Sequence, residues 1–195
     1  KVHILCFDML NANDTFNAYK SLADELQTID ILINNAGLAL GLEPVAKANP
    51  EDWNVMIDTN VKSVLNTTHY FLPKMIEKNC GHIVFIGSIA GHTAYANGSA
   101  YCATKAAVKS IARSLKKELH GTKIRVTSID PGAVETNFSI TRFKGDKERA
   151  SNVYKEFEPL TPRDIAEAIY FATSAPERVN VSEMVVLATG QESIL

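Results

Sequence analysis

Ile31-Leu32-Ile33-Asn34-Asn35-Ala36-Gly37 is a short apolar run that gives way at once to small and polar residues. A run this short, bounded by turn formers, reads as a strand enclosed on both faces, the kind from which parallel sheets are built. The same form returns at 82–86, which leads into Gly87-Ser88-Ile89-Ala90-Gly91, and at 123–129, which leads into Asp130-Pro131-Gly132. Residues 2–7 make another such run, closing on Asp8, and 184–187 supply a last short one.

Between these runs the apolar residues change to helical spacing. Phe16, Tyr19, Leu22, Ala23 and Leu26 fall on one face, as do Trp53, Met56, Ile57, Val61, Val64 and Leu65. Asn49 caps the second of these helices and Pro50 takes its first position, where the missing N–H costs nothing; the helix is expected over 50–78. A longer one is expected over 99–120, ended by Gly121, and Thr161-Pro162-Arg163-Asp164 is a capping signature that opens a helix to about residue 174. Residues 133–160 carry charge without a sustained period and read as a mobile loop with short helical pieces. Strand and helix in alternation predict an α/β fold, a doubly wound parallel sheet of Rossmann-like form, as a single domain over 1–195.

Composition narrows the function. The 195 residues are 46% apolar with a formal net charge of -2, and the basic pair Lys116-Lys117 sits beside Glu118, so no nucleic-acid footprint is seen. Three cysteines without a C-x-x-C pair suggest neither a disulfide framework nor a zinc knuckle. His3, His69, His82, His92 and His120 do not cluster at metal-ligand spacing, and no metal is expected. With no apolar stretch long enough to span a bilayer and no leader-like N-terminus, a soluble cytoplasmic protein without a membrane partner is expected.

In an open parallel sheet the carboxyl edge is the one left free by the crossover helices, so ligands bind there. Asp8, Asn34 to Gly37, Gly87-Ser88 and Pro131-Gly132 all fall at that edge and outline one crevice. Tyr101 and Lys105 are four apart on a helix and share a face. An adjacent ammonium favours the phenolate, which brings a tyrosine towards use as a base. Ser88 is placed to hold a substrate oxygen near that hydroxyl. Asn60 lies inside a helix, where a short amide is a poor helix former, and is read as freeing a backbone carbonyl for a proton path to Lys105.

The series N-N-A-G at 34–37, the helix-interior Asn60, Ser88, then Y-x-x-x-K at 101–105 and P-G-x-V-x-T at 131–136 resembles the short-chain dehydrogenase/reductase family, in its order and spacing. The resemblance implies that Asn60, Ser88, Tyr101 and Lys105 are a catalytic tetrad. It implies that Asp8 and Met9 touch the adenine, that Asn35, Ala36 and Gly37 line the adenosine ribose, that Tyr101 and Lys105 bind the nicotinamide ribose, and that Pro131, Gly132, Val134 and Thr136 hold the carboxamide. Residues 34–41 and 142–146 look most like the NADP-dependent 3-hydroxy acid dehydrogenases that oxidise serine and allo-threonine. A carboxylate substrate needs a cation, which Arg142 can supply in bidentate form, with Lys144 the second candidate. Ser88 and Tyr101 complete the substrate contacts.

The resemblance therefore implies an oxidoreductase for a small alcohol or carbonyl compound, with NADP as cofactor and NAD as the alternative. It also implies a homodimer or homotetramer paired through the two long helices. The family's opening strand, glycine-rich turn and pyrophosphate-holding helix are not found in the 195 residues, so the chain reads as beginning at the third strand. Two other readings share these features: an epimerase or dehydratase that keeps its nicotinamide, and a non-catalytic subunit acting by association.

Overall fold

In the computed structural model, which describes residues 1–192, the central apolar runs become one parallel sheet. β1 (Ile31–Asn34), β2 (Gly81–Ile86), β3 (Ile124–Pro131) and β4 (Glu183–Val186) lie side by side in chain order. Asn34 stands beside Phe85, Phe85 beside Ser128 and Ser128 beside Glu183, so the register sets the carboxyl ends along one edge.

Helices cover both faces, as the doubly wound reading requires. Ile83, Phe85 and Val126 point to one side, where they pack with Val64 and Met75 of α4 (Ser63–Lys78) and Val108, Ala112 and Leu115 of α5 (Ser99–Glu118). Val84 and Ile129 point to the other, against Ile165 and Ala172 of α8 (Pro162–Ser174). Alternate residues of β2 thus enter two cores, which is why Ile83 to Ile86 are all apolar. α8 opens with the expected capping box: Thr161 Oγ1 accepts from the Asp164 N–H, and Asp164 accepts from the Thr161 N–H. The loop after β3 carries two short helices, α6 (Phe138–Arg142) and α7 (Lys147–Asn152).

Three expectations are corrected. Residues 2–7 form no strand, and Val2 and Ile4 are 84% and 86% exposed. In a doubly wound sheet of the usual order the first two strands separate the third from the fourth, and no described residue fills that interval, so this run finds no ladder to join. The helix from Phe16 to Leu26 is broken: α1 (Ala12–Ser21), capped by Asn11, is followed by a single turn, α2 (Asp24–Gln27). α1 is held by aromatic contacts to α4, Tyr19 meeting Phe71 edge-on at 5.2 Å. The helix over 50–78 is also not uniform. α3 (Pro50–Ile57), capped by Asn49, passes through a π turn at Asp58–Lys62 before α4 begins.

Candidate active site

A crevice of about 640 Å³ opens at the carboxyl edge, within the size range of small-molecule sites. Of the residues expected there, Asn35, Gly37, Ser88, Tyr101, Lys105, Pro131, Gly132, Val134 and Thr136 line it. Ala36 lies half-buried between two of them. Asp8 and Met9 do not reach it: Asp8 is exposed, and its carboxylate accepts from the Leu10 N–H at 2.9 Å in a local turn. Without a strand behind them, nothing carries these two residues to the sheet edge.

α5 delivers Tyr101 and Lys105 to the crevice wall one turn apart, as their spacing requires. Both are buried. The Lys105 ammonium lies 6.0 Å from the centre of the Tyr101 ring and donates to the Ile86 carbonyl at 2.8 Å. Burial pulls Lys105 down to about 8, with Asp130 opposing. Tyr101 differs from the sequence expectation, because its phenol is pushed up to about 12. Burial is the main cause, and the polar groups opposing it are Ser88 and Arg142 rather than Lys105. The amine is turned to a backbone carbonyl, and a phenol in a dry pocket keeps its proton.

Ser88 ends the turn after β2 in an extended conformation and caps the 3-10 turn Ile89–Gly91, its oxygen accepting from the Ala90 N–H at 3.1 Å. The capping bond uses a lone pair. The hydroxyl proton stays available, so the side chain that fixes the turn is free to donate into the crevice.

Asn60 sits in the π turn and is 1% exposed. Its amide accepts from the Leu38 N–H and donates to the Leu38 carbonyl, each at 2.8 Å, and also donates to Thr104 Oγ1 at 2.9 Å. The side chain therefore ties the loop after β1 to α5. A Cβ at Gly37 would stand 3.4 Å from both Asn60 Oδ1 and Lys105 Nζ. The bare α-carbon keeps the crevice open beside the amine, which suits the close passage of a flat ring.

Arg142, at the end of α6, does not line the crevice itself but reaches two of the aromatic rings beside it. Its guanidinium lies 5.4 Å from the Tyr95 ring centre and 5.7 Å from that of Tyr101. Nε donates to the Gly41 carbonyl at 3.2 Å and a terminal nitrogen to the Tyr95 hydroxyl at 2.9 Å. Five N–H donors on the guanidinium leave others for a ligand. Lys144, the other cation considered, is instead paired with Asp52 at 2.8 Å. Tyr95 and Phe138, whose ring meets Tyr101 at 5.6 Å, were not singled out from sequence; no motif or period marks them.

The fold also gathers His92, Asp130 and Glu183, whose ligand atoms lie within 4.8 Å of one another. Lys109 and Arg113 contact Glu183 at 3.3 and 2.9 Å. With two cations inserted, the cluster is an ionic network.

Residues 1–147 match the family model described as short chain dehydrogenase. The chain belongs to this family. Among short-chain dehydrogenases, it is 49% identical over 172 residues to the NADP-dependent 3-hydroxy acid dehydrogenase YdfG of Salmonella typhimurium, covering 88% of this chain and 69% of that protein. It is 48% identical to the NADP-dependent 3-hydroxy acid dehydrogenase of Schizosaccharomyces pombe, covering 88% and 66%. The closed form of a serine dehydrogenase complexed with NADP+ superposes with a TM-score of 0.93 at 45% identity, over 96% of this chain and 76% of that one. The serine dehydrogenase of Escherichia coli gives 0.82 at 41% identity, over 95% and 76%. The resemblance drawn from the motifs, in family and subgroup, is borne out.

Proposed function

We propose that this chain is an NADP-dependent oxidoreductase that interconverts a small 3-hydroxy acid, serine or allo-threonine among them, and the matching 3-oxo acid. The observation that carries it is the convergence of Ser88, Tyr101 and Lys105 on one crevice, with the Arg142 guanidinium 5.7 Å from the Tyr101 ring. A cation one ring away from the proton-transfer group suits a substrate whose carboxylate lies close to its carbinol carbon. The similarity to NADP-dependent 3-hydroxy acid dehydrogenases supports the same substrate class and cofactor.

Gly37 keeps space beside Lys105, and Pro131, Gly132, Val134 and Thr136 face it across the crevice, so these residues fit a nicotinamide. When bound, nicotinamide supplies the hydride acceptor or donor. Ser88 donates to the substrate oxygen and fixes it against Tyr101. In oxidation Tyr101 takes the hydroxyl proton, and in reduction it returns one. Lys105 orients the nicotinamide ribose and adds positive charge near the phenol, and Asn60 keeps the Leu38 backbone and α5 in register beneath both. Arg142 binds the carboxylate, with Tyr95 holding the guanidinium plane.

Residues 1–195 are proposed as one cofactor-binding domain, in which Asn35 to Gly37 contact the adenosine ribose. Ile57, Leu65 and Ile76 stay 42%, 46% and 48% exposed on the helix running through α3 and α4, which supports a homodimer or homotetramer paired there. All three cysteines are free, which suits the cytoplasm. The deciding assay offers NADP with serine, and separately with an amino alcohol of the same length lacking the carboxylate. NADPH is expected to form far faster from the acid; equal rates would overturn the substrate assignment.

A further inference from the structure

Asp130 is fully buried at the end of β3, and the steps above make no use of it. Its Oδ1 accepts from the Ser128 hydroxyl at 2.6 Å, and its Oδ2 from His92 Nε2 at 2.6 Å. The Lys109 ammonium donates to His92 Nδ1, which sets the imidazole proton on the nitrogen that faces the carboxylate. Lys109 and Arg113 are held in turn by Glu183. Among the described residues, Asp130 has no lysine or arginine in direct contact, and Lys105 no carboxylate.

The two buried groups stand on either side of a single peptide. Lys105 Nζ is bonded to the Ile86 carbonyl, while Asp130 packs on the next residue, where a Cβ on Gly87 would lie 1.9 Å from Oδ1. Only glycine permits that approach. We propose that Asp130, held by Ser128 and His92, is a positioning residue for Lys105: a counter-ion set across the Ile86–Gly87 peptide that keeps the ammonium charged without capturing it. In a site with little water the attraction persists across that gap. A carboxylate in direct contact would instead draw the amine out of the crevice. The titratable and charged groups that face Lys105 are Tyr101 on its own helix and Asp130 on β3. Those that face Asp130 are Lys105 and His92, with Lys109, Arg113 and Glu183 behind the imidazole.

The benefit to catalysis rests on the role proposed for Lys105, but its proton affinity can be read without turnover, so the two ideas fail separately. The full chain, labelled with 13C and 15N at the lysine side-chain termini, is titrated by NMR, and the K105R spectrum identifies the Lys105 signal. In Asp130→Asn the proton affinity of Lys105 is expected to fall roughly tenfold. An unmoved or raised midpoint in a folded variant, judged by circular dichroism, overturns the proposal, since a merely structural aspartate would leave it unmoved. His92→Phe keeps the carboxylate but removes its imidazole donor, and is expected to raise the affinity of Lys105 about twofold. Should Asp130→Asn fail to fold, this variant decides: a rise supports the counter-ion, and no change or a fall overturns it.

Discussion

Asn60 grips Leu38 on both sides of its backbone, accepting from the N–H and donating to the carbonyl, each at 2.8 Å. The loop that leads Gly37 past Lys105 is therefore fixed by one buried amide. Asn60→Ala leaves the Leu38 N–H and carbonyl without these partners and is expected to cost about 1–3 kcal/mol. Urea denaturation measures it. A variant as stable as the parent would mean that the loop is held by other contacts.

Tyr101→Phe keeps the ring that packs on Phe138 and removes only the hydroxyl. If that hydroxyl carries the proton, kcat falls about a thousandfold while the NADPH dissociation constant, followed by fluorescence, stays nearly constant. Normal turnover would refute the assignment. The pH profile adds a sign. With the phenol raised to about 12, its basic form is scarce at neutrality, so the oxidation rate of the parent should climb as pH rises into the alkaline range.

Arg142→Met removes the charge beside Tyr101 but retains an apolar side chain of similar reach. KM for the hydroxy acid should rise on the order of ten- to a hundredfold, the worth of a charge-assisted hydrogen bond. Slow activity on an alcohol without a carboxylate should not fall. Equal losses on both substrates would assign Arg142 to loop packing, through Gly41 and Tyr95, instead.

His82 gives a pH dependence to stability. It is 1% exposed, bonded through Nε2 to Thr127 at 2.7 Å, and its Nδ1 has no partner among the described residues. Burial first, then the Arg125 charge, lowers it from 6.5 to about 4. Below 6.5 the unfolded chain takes up a proton that the folded chain refuses. The stabilisation is thus complete above that value and is lost as pH falls towards 4, amounting to about 3 kcal/mol. Urea midpoints measured from pH 7 down to pH 4 should drop more steeply in the parent than in His82→Gln.

Much of this was legible from local pattern. β2 sends Ile83 and Phe85 into one core and Val84 into the other, so its apolar run stood out. Residues 31–33 and 123–129 stood out as short runs too, although Ile31 and Ile33 of β1 stay 43% and 44% exposed and β3 carries Arg125, Thr127 and Ser128. Tyr101 and Lys105 followed from helical geometry, and the Thr161 cap from a four-residue signature. The Tyr95 hydroxyl bond to Arg142 spans 47 residues of sequence and leaves no local mark. Nor does spacing report desolvation: it placed an amine near a phenol, whereas burial of the ring decides the proton's hold. The run at 2–7 looks like a strand in composition, but ladder partners lie outside any local pattern.

The π turn at Asp58–Lys62 makes the number of residues in that segment matter as well as the identity of Asn60. Met56 ahead of it packs with Tyr101 and Cys102, while Val64 behind it packs with the sheet. A π turn houses one residue more than an α-helical turn while the halves on either side keep their phase. Losing one position from 58–62 would therefore leave a plain α-helix with the methionine and the valine still on their neighbours. A codon gained there would advance the second half by about 100° and throw the helix out of phase.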